Sequence, residues 1–176
     1  MDRQRGFTLL EALVAVAIIA VLTGSSVPAF RELRRNAART REVNQFVQAV
    51  HLARGEAMKR NGVVSLCPSR DGLSCAADGT LWNTGWILFA NQDRDAPAAR
   101  DADEDLLHVY SAWSEGRIVA NRATLSFRAF GQSGVTATFA FCDDRGSAAA
   151  RAVIISQTGR PRVSARSSSG APLSCS

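Results

Sequence analysis

Glu11 is the first residue whose chemistry needs explaining, because it is the one acid in an otherwise lipid-compatible run from Phe7 to Phe30 that holds no Lys, Arg or Asp. A carboxylate in the middle of a bilayer costs about 2.5–3.5 kcal/mol, so an intramembrane acid implies a partner of opposite charge. At the other end of the chain, Arg160 and Arg162 flank Pro161 after Gly159. In an extended strand, residues i and i+2 face the same way about 7 Å apart, a spacing that lets two guanidinium groups meet successive phosphates. Proline cannot donate to a strand ladder, so Pro161 belongs on an edge or loop, and Gly159 permits a turn before the pair. From Arg145 onward there are five arginines (Arg145, Arg151, Arg160, Arg162 and Arg166) and no acid, a patch of one sign. No aromatic residue accompanies them in the tail, so the pair suits phosphate groups rather than stacked rings. The third set is four cysteines, Cys67, Cys75, Cys142 and Cys175, with no CxxC spacing. Disulfides in an oxidising compartment fit this set better than zinc. Of three possible pairings, Cys67–Cys75 and Cys142–Cys175 are favoured: the first closes a short loop, and the second ties the tail to a strand.

Other chemistries find little support. His51 falls on the polar side of a helix and His108 in a strand, neither at a catalytic or metal-ligand spacing. P-loop, GxSxG and HExxH motifs are absent. The chain therefore reads as a non-enzyme with no cofactor and no metal site. The acidic stretch "NQDRDAPAARDADEDLL" offers Asp93, Asp95, Asp101, Asp103 and Asp105 as oxygen ligands, yet it lacks the calcium-loop register and reads as a solvated loop. Trp82, Trp86 and Trp113 read as core aromatics. The net charge of +5 comes from 21 basic and 16 acidic residues, and all the basic residues except Lys59 are arginine, the residue suited to phosphate and carboxylate.

The elements that must position these residues follow from periodicity. The 24 residues from Phe7 to Phe30 would span about 36 Å as a helix, enough to cross a hydrocarbon core. The text continues in helical style through an arginine-rich neck (Arg31, Arg34, Arg35, Arg39 and Arg41). Val43, Phe46, Val47, Val50, Ala53 and Ala57 then form an amphipathic stripe that ends at Asn61-Gly62. Gly24 and Pro28 predict a kink or local melting rather than an end. Beyond Gly62, runs such as "VVSLC", "GWILFAN", "LLHVYSA", "RIVA", "ATLSFRAF", "VTATFAFC", "RAVIISQ" and "RPRVSA" predict seven or eight strands. They make one or two antiparallel sheets packed on the second half of the helix, an α+β fold.

The segment "RGFTLLEALVAVAIIAVL" resembles the signal of type IV pilins and pseudopilins. That resemblance implies cleavage after Gly6 by a prepilin peptidase and N-methylation of Phe7. It also implies pairing of Glu11 with the new N-terminal amine of a neighbouring subunit, which answers the question of the buried acid. The order of "CPSRDGLSC", "WNTGWILFAN", "LSFRAFGQSG" and "RAVIISQTGRPRVS" is similar to that in the GspH/FimT family. FimT-like proteins are linked to DNA uptake through a GRxR motif, matched here by Gly159, Arg160, Pro161 and Arg162, with Arg166 added from the same patch. The expected organisation is a leader at 1–6, a transmembrane half at 7–30, an amphipathic half at 31–61 and a β-rich periplasmic head at 62–176. Before assembly the chain sits in the inner membrane, and afterwards in a pilus at the cell surface. The charge of head and neck does not set this orientation; the cysteines and the resemblance do. The expected function is a minor pilin that binds DNA without sequence preference. The alternative is a tip or priming pilin, or a type II secretion pseudopilin, with no DNA role.

Overall fold

The structure is a computed structural model and describes residues 8–77 and 82–175. Helix α1 runs from Leu9 to Arg60 and starts on a side-chain cap, with the Glu11 N–H donating to the Thr8 hydroxyl at 3.3 Å. The assignment is unbroken through Gly24 and Pro28, so the helix neither ends nor melts there. It stops where Asn61 enters the left-handed region (φ 49°). There the Gly62 N–H reaches the Ala57 carbonyl at 3.1 Å and the Asn61 N–H reaches Met58 at 3.3 Å, a paired C-cap that uses up two terminal carbonyls.

Two compact units divide the chain, residues 1–37 and 38–176. In the first, the described side chains are almost all exposed, among them Leu9, Leu13, Ile18, Ile19 and Leu22. Helix α1 holds an 18-residue window of mean hydropathy 2.2 with none of it buried, long and apolar enough to cross a membrane. No described residue of this unit covers that surface, which lipid or other helices would satisfy.

Among the described residues the second unit carries eight strands: β1 (Val63–Pro68), β2 (Trp86–Asn91), β3 (Leu106–Tyr110), β4 (Arg117–Ala120), β5 (Leu125–Phe127), β6 (Ala137–Cys142), β7 (Arg151–Ile155) and β8 (Pro161–Ser164). They form two four-stranded antiparallel sheets, ordered β3-β2-β1-β5 and β4-β6-β7-β8. The helical stripe Val43, Phe46, Val50, Ala53 and Ala57 is buried in one core with residues of both sheets. Phe46 is its hub, with ring centroids 4.4 Å from Phe139, 5.7 Å from Phe141 and Trp86, and 5.8 Å from Trp82. Ala137, Phe139 and Phe141 face this core, as the alternation in β6 predicts.

Each sheet is covered on its other face as well, which is why β2 reads as a nearly continuous apolar run and is buried throughout. Ile87 and Phe89 pack with Cys67 and Ala98 under the loop that follows β2. Ala140, Ala152 and Ile154 pack with Leu173 of the tail. Disulfides join Cys67 to Cys75 and Cys142 to Cys175, the second holding the tail over its sheet.

The acidic stretch is a loop whose Asp93, Asp101, Asp103 and Asp105 are exposed as expected, while Glu104 and Asp95 turn inward to satisfy backbone N–H groups. Glu104 is buried and accepts from Gln92 N–H at 2.6 Å and Asp101 N–H at 3.1 Å, while Asp95 accepts from Asn91 Nδ2 and Ala99 N–H. Arg39 of the arginine-rich neck is buried beside Asp143 (3.6 Å) and donates to the Ala149 carbonyl. The "ATLSFRAF" run yields only the three residues of β5, because Arg128 to Gln132 closes a turn in which Gly131 has φ 70°.

Candidate functional site

The arginine pair is presented by the β7–β8 hairpin, whose turn forms from local hydrogen bonds. Gly159 N–H donates to the Ser156 carbonyl at 2.8 Å, Arg160 N–H to the Ser156 hydroxyl at 3.2 Å, and Ser156 N–H to the Arg160 carbonyl at 3.1 Å. Gly159 is buried with φ 74°, and a Cβ there would collide with the Gly131 carbonyl and lie 3.2 Å from both Arg54 Nε and the Phe127 ring. Glycine is therefore required twice, by conformation and by space. Arg54 of α1 donates to the same Gly131 carbonyl at 3.0 Å, so helix, turn 128–132 and turn 156–160 meet at one point.

Pro161 pairs with Ile155 and Arg162 with Ile154, and β8 is an edge strand, as a proline at its first position requires. The extended run begins at Pro161, so Arg160 occupies the last place of the turn rather than a strand position. Arg160 and Arg162 are both exposed, and no described residue forms an ion pair with either. Arg166 is exposed and donates to the Gly170 carbonyl at 3.1 Å.

The other two arginines of the expected patch do other things. Arg145 is tied to Asp143, with its Nη2 at 2.6 Å and its Nε at 3.0 Å from the two carboxylate oxygens. Hydrogen bonding from Arg145, helped by Arg39, holds the Asp143 carboxyl below its usual range. Arg151 is half-buried and donates to the Ala150 carbonyl at 2.8 Å. The one-signed patch thus shrinks to Arg160, Arg162 and Arg166, since counting from Arg145 leaves out the acid two residues before it. The tail also has an aromatic neighbour that linear order conceals. Phe130, 86% exposed, lies next to Gly131, the residue that abuts Gly159. Its signal in the sequence is a large apolar residue stranded in the turn text "FGQSG".

The remaining expected sites fall elsewhere. Gly6 and Phe7 lie outside the described residues. Glu11 is exposed in the first turn of α1. His51 and His108 are exposed, with His108 4.4 Å from the Tyr110 ring. Trp82, Trp86 and Trp113 are core residues. Glu42 went unnoticed in the sequence: it is buried, and burial pushes its carboxyl up.

Comparison with known proteins adds the following. A family model described as "Type II transport protein GspH" matches residues 42–159, and one described as "Prokaryotic N-terminal methylation motif" matches residues 1–27. Over 47 residues the chain is 47% identical to "Prepilin peptidase-dependent protein D" of Escherichia coli (strain K12). That match covers 27% of this chain and 32% of the relative, about a third of its length. Two crystal forms of the Pseudomonas aeruginosa (strain PAO1) type IV minor pilin FimU superpose with TM-score 0.53 at 24% identity. They cover 80% and 84% of this chain and 98% and 99% of theirs, and at that identity the likeness speaks for the fold, which is that of a type IV pilin.

Proposed function

The chain belongs to the GspH family, and from that premise we propose that it is a minor type IV pilin that binds DNA through Arg160 and Arg162. In this reading a prepilin peptidase cuts after Gly6 and Phe7 is N-methylated. The N-methylation motif over residues 1–27 and the identity to a prepilin peptidase-dependent protein support that step. The apolar helix holds the chain in the inner membrane with its head in the periplasm until assembly. Glu11 then meets the amine of a neighbouring subunit, and the filament carries the head outward.

The observation that carries the DNA role is the exposed arginine pair, Arg160 at the end of the turn and Arg162 on edge strand β8, with neither in an ion pair among the described residues and with buried Gly159 beside Arg160. Two exposed guanidinium groups, with Arg166 four residues after Arg162, suit a phosphate backbone, with affinity driven by counterion release rather than by base identity. The test is a cell carrying Arg160→Gln with Arg162→Gln, assayed for natural transformation and for twitching motility. Loss of transformation with normal motility is expected. Equal loss of both would mean that the pair serves assembly and not DNA.

The description of the matching family favours one second reading, a pseudopilin of a type II secretion system. Deletion of the gene would then abolish export of secreted proteins and leave transformation intact. Glu11→Val is expected to stay in the membrane and fail to enter filaments under either reading.

A further inference from the structure

We propose that Phe130 is a stacking platform for an unpaired nucleobase, and that the arginine-lined groove beside it carries the phosphates of a single DNA strand. This rests on the DNA reading above and specifies its ligand.

Phe130 is 86% exposed, the highest exposure among the described large apolar residues of the second unit. One exposed apolar residue is ordinary on any surface; this one stands on a turn fixed at several points. Gly131 N–H donates to the Arg128 carbonyl at 2.7 Å, Arg128 N–H donates to Gln132 at 3.0 Å, and Arg54 holds the Gly131 carbonyl. Ser133 Oγ donates to the Ser156 carbonyl at 2.9 Å, which locks this turn to the one that presents Arg160. The backbone that carries the ring is therefore fixed, so a ligand has only the side chain to order.

The surroundings select the occupant. Phe130, Arg128 and Arg94 line a groove of about 540 Å³. A neighbouring groove of about 510 Å³ is lined by Arg122 and again by Arg128, and the two share Ala96 and Ser126. Arg94 has φ 64°, a conformation disfavoured for a side-chain-bearing residue, at the groove wall. Asp95 is the one acid in either lining, and Asn91 Nδ2 and the Ala99 N–H already hold its carboxylate. A channel with three arginines and an exposed aromatic at its margin matches a strand with phosphates on one side and unpaired bases on the other.

The test uses the purified full chain in detergent micelles, with fluorescence anisotropy on labelled oligothymidine and on a duplex of equal length. The native chain is expected to prefer the single strand by about 5- to 100-fold, the usual worth of stacking one base. Phe130→Ala is expected to bring the ratio close to one, and Phe130→Trp to retain the preference with indole fluorescence quenched by oligothymidine only. A ratio unchanged in Phe130→Ala, or the absence of any preference in the native chain, would overturn the proposal. Arg160→Gln with Arg162→Gln tests the underlying reading separately, since it is expected to lower affinity for both ligands and leave their ratio intact. If Phe130→Ala keeps the single-strand preference but no longer enters filaments, the ring belongs to a subunit contact and the proposal fails.

Discussion

Asp143 accepts from Arg145 and sits 3.6 Å from Arg39, with only 5% of its side chain exposed, so it fastens the helix to the loop that follows β6. Removing one partner of a buried ion pair leaves an uncompensated charge, so Asp143→Asn is expected to cost about 3 kcal/mol in urea unfolding. Its folded carboxyl lies below the usual value, so the stability it lends is complete above about pH 4 and is lost as pH falls through the lowered folded value. Glu42 has the opposite sign. Burial raises its carboxyl, so its contribution is complete below about pH 4 and is lost as pH rises through the raised folded value. Unfolding measured across pH should show Glu42→Gln as stable as the native chain in acid and more stable near neutrality. Gly159→Ala places a Cβ against the Gly131 carbonyl at φ 74°. The left-handed conformation alone costs about 1–2 kcal/mol, so a loss of at least about 2 kcal/mol is expected, together with weaker DNA binding as Arg160 shifts.

At the scale of elements, the disulfide from Cys142 to Cys175 closes a loop with a sequence separation of 33, against 8 for Cys67 to Cys75. On the chain-entropy account Cys142→Ser with Cys175→Ser should cost about 3–4 kcal/mol, and the shorter loop about 1 kcal/mol less, read as paired shifts in thermal unfolding. The tail that carries Leu173 would then peel from Ile154 and Ala152. Most of these elements were legible in the sequence because their causes are local. The spacing of Val43, Phe46, Val50, Ala53 and Ala57 marks the helix face, and Asn61-Gly62 marks its end. Alternation marks β6, and Pro161 marks β8 as an edge. What stayed hidden depends on residues far apart in the chain. The burial of Arg39 follows only once Asp143 and Ala149 come beside it, and that of Glu104 only once it finds the backbone of Gln92. Phe130 reads as the end of a strand until Gly131 meets Gly159. Pattern reports which face of an element is apolar, whereas the neighbours a turn acquires are set only when both sheets close on the helix.

At the scale of the molecule, one chain combines an uncovered apolar helix with a doubly stapled head whose arginine-bearing turn is clamped between Arg54 and Gly131. Under the proposed function the first serves a membrane and then a filament core, and the second a DNA ligand. The claim that joins them is that Arg160 and Arg162 grip a DNA backbone, and its direct measure is the salt dependence of duplex binding by the full chain in detergent micelles. The native chain should give a slope of log affinity against log salt of about −2 to −3, and Arg160→Gln with Arg162→Gln should flatten it by about 2. Equal affinities and equal slopes for the two proteins would contradict the account.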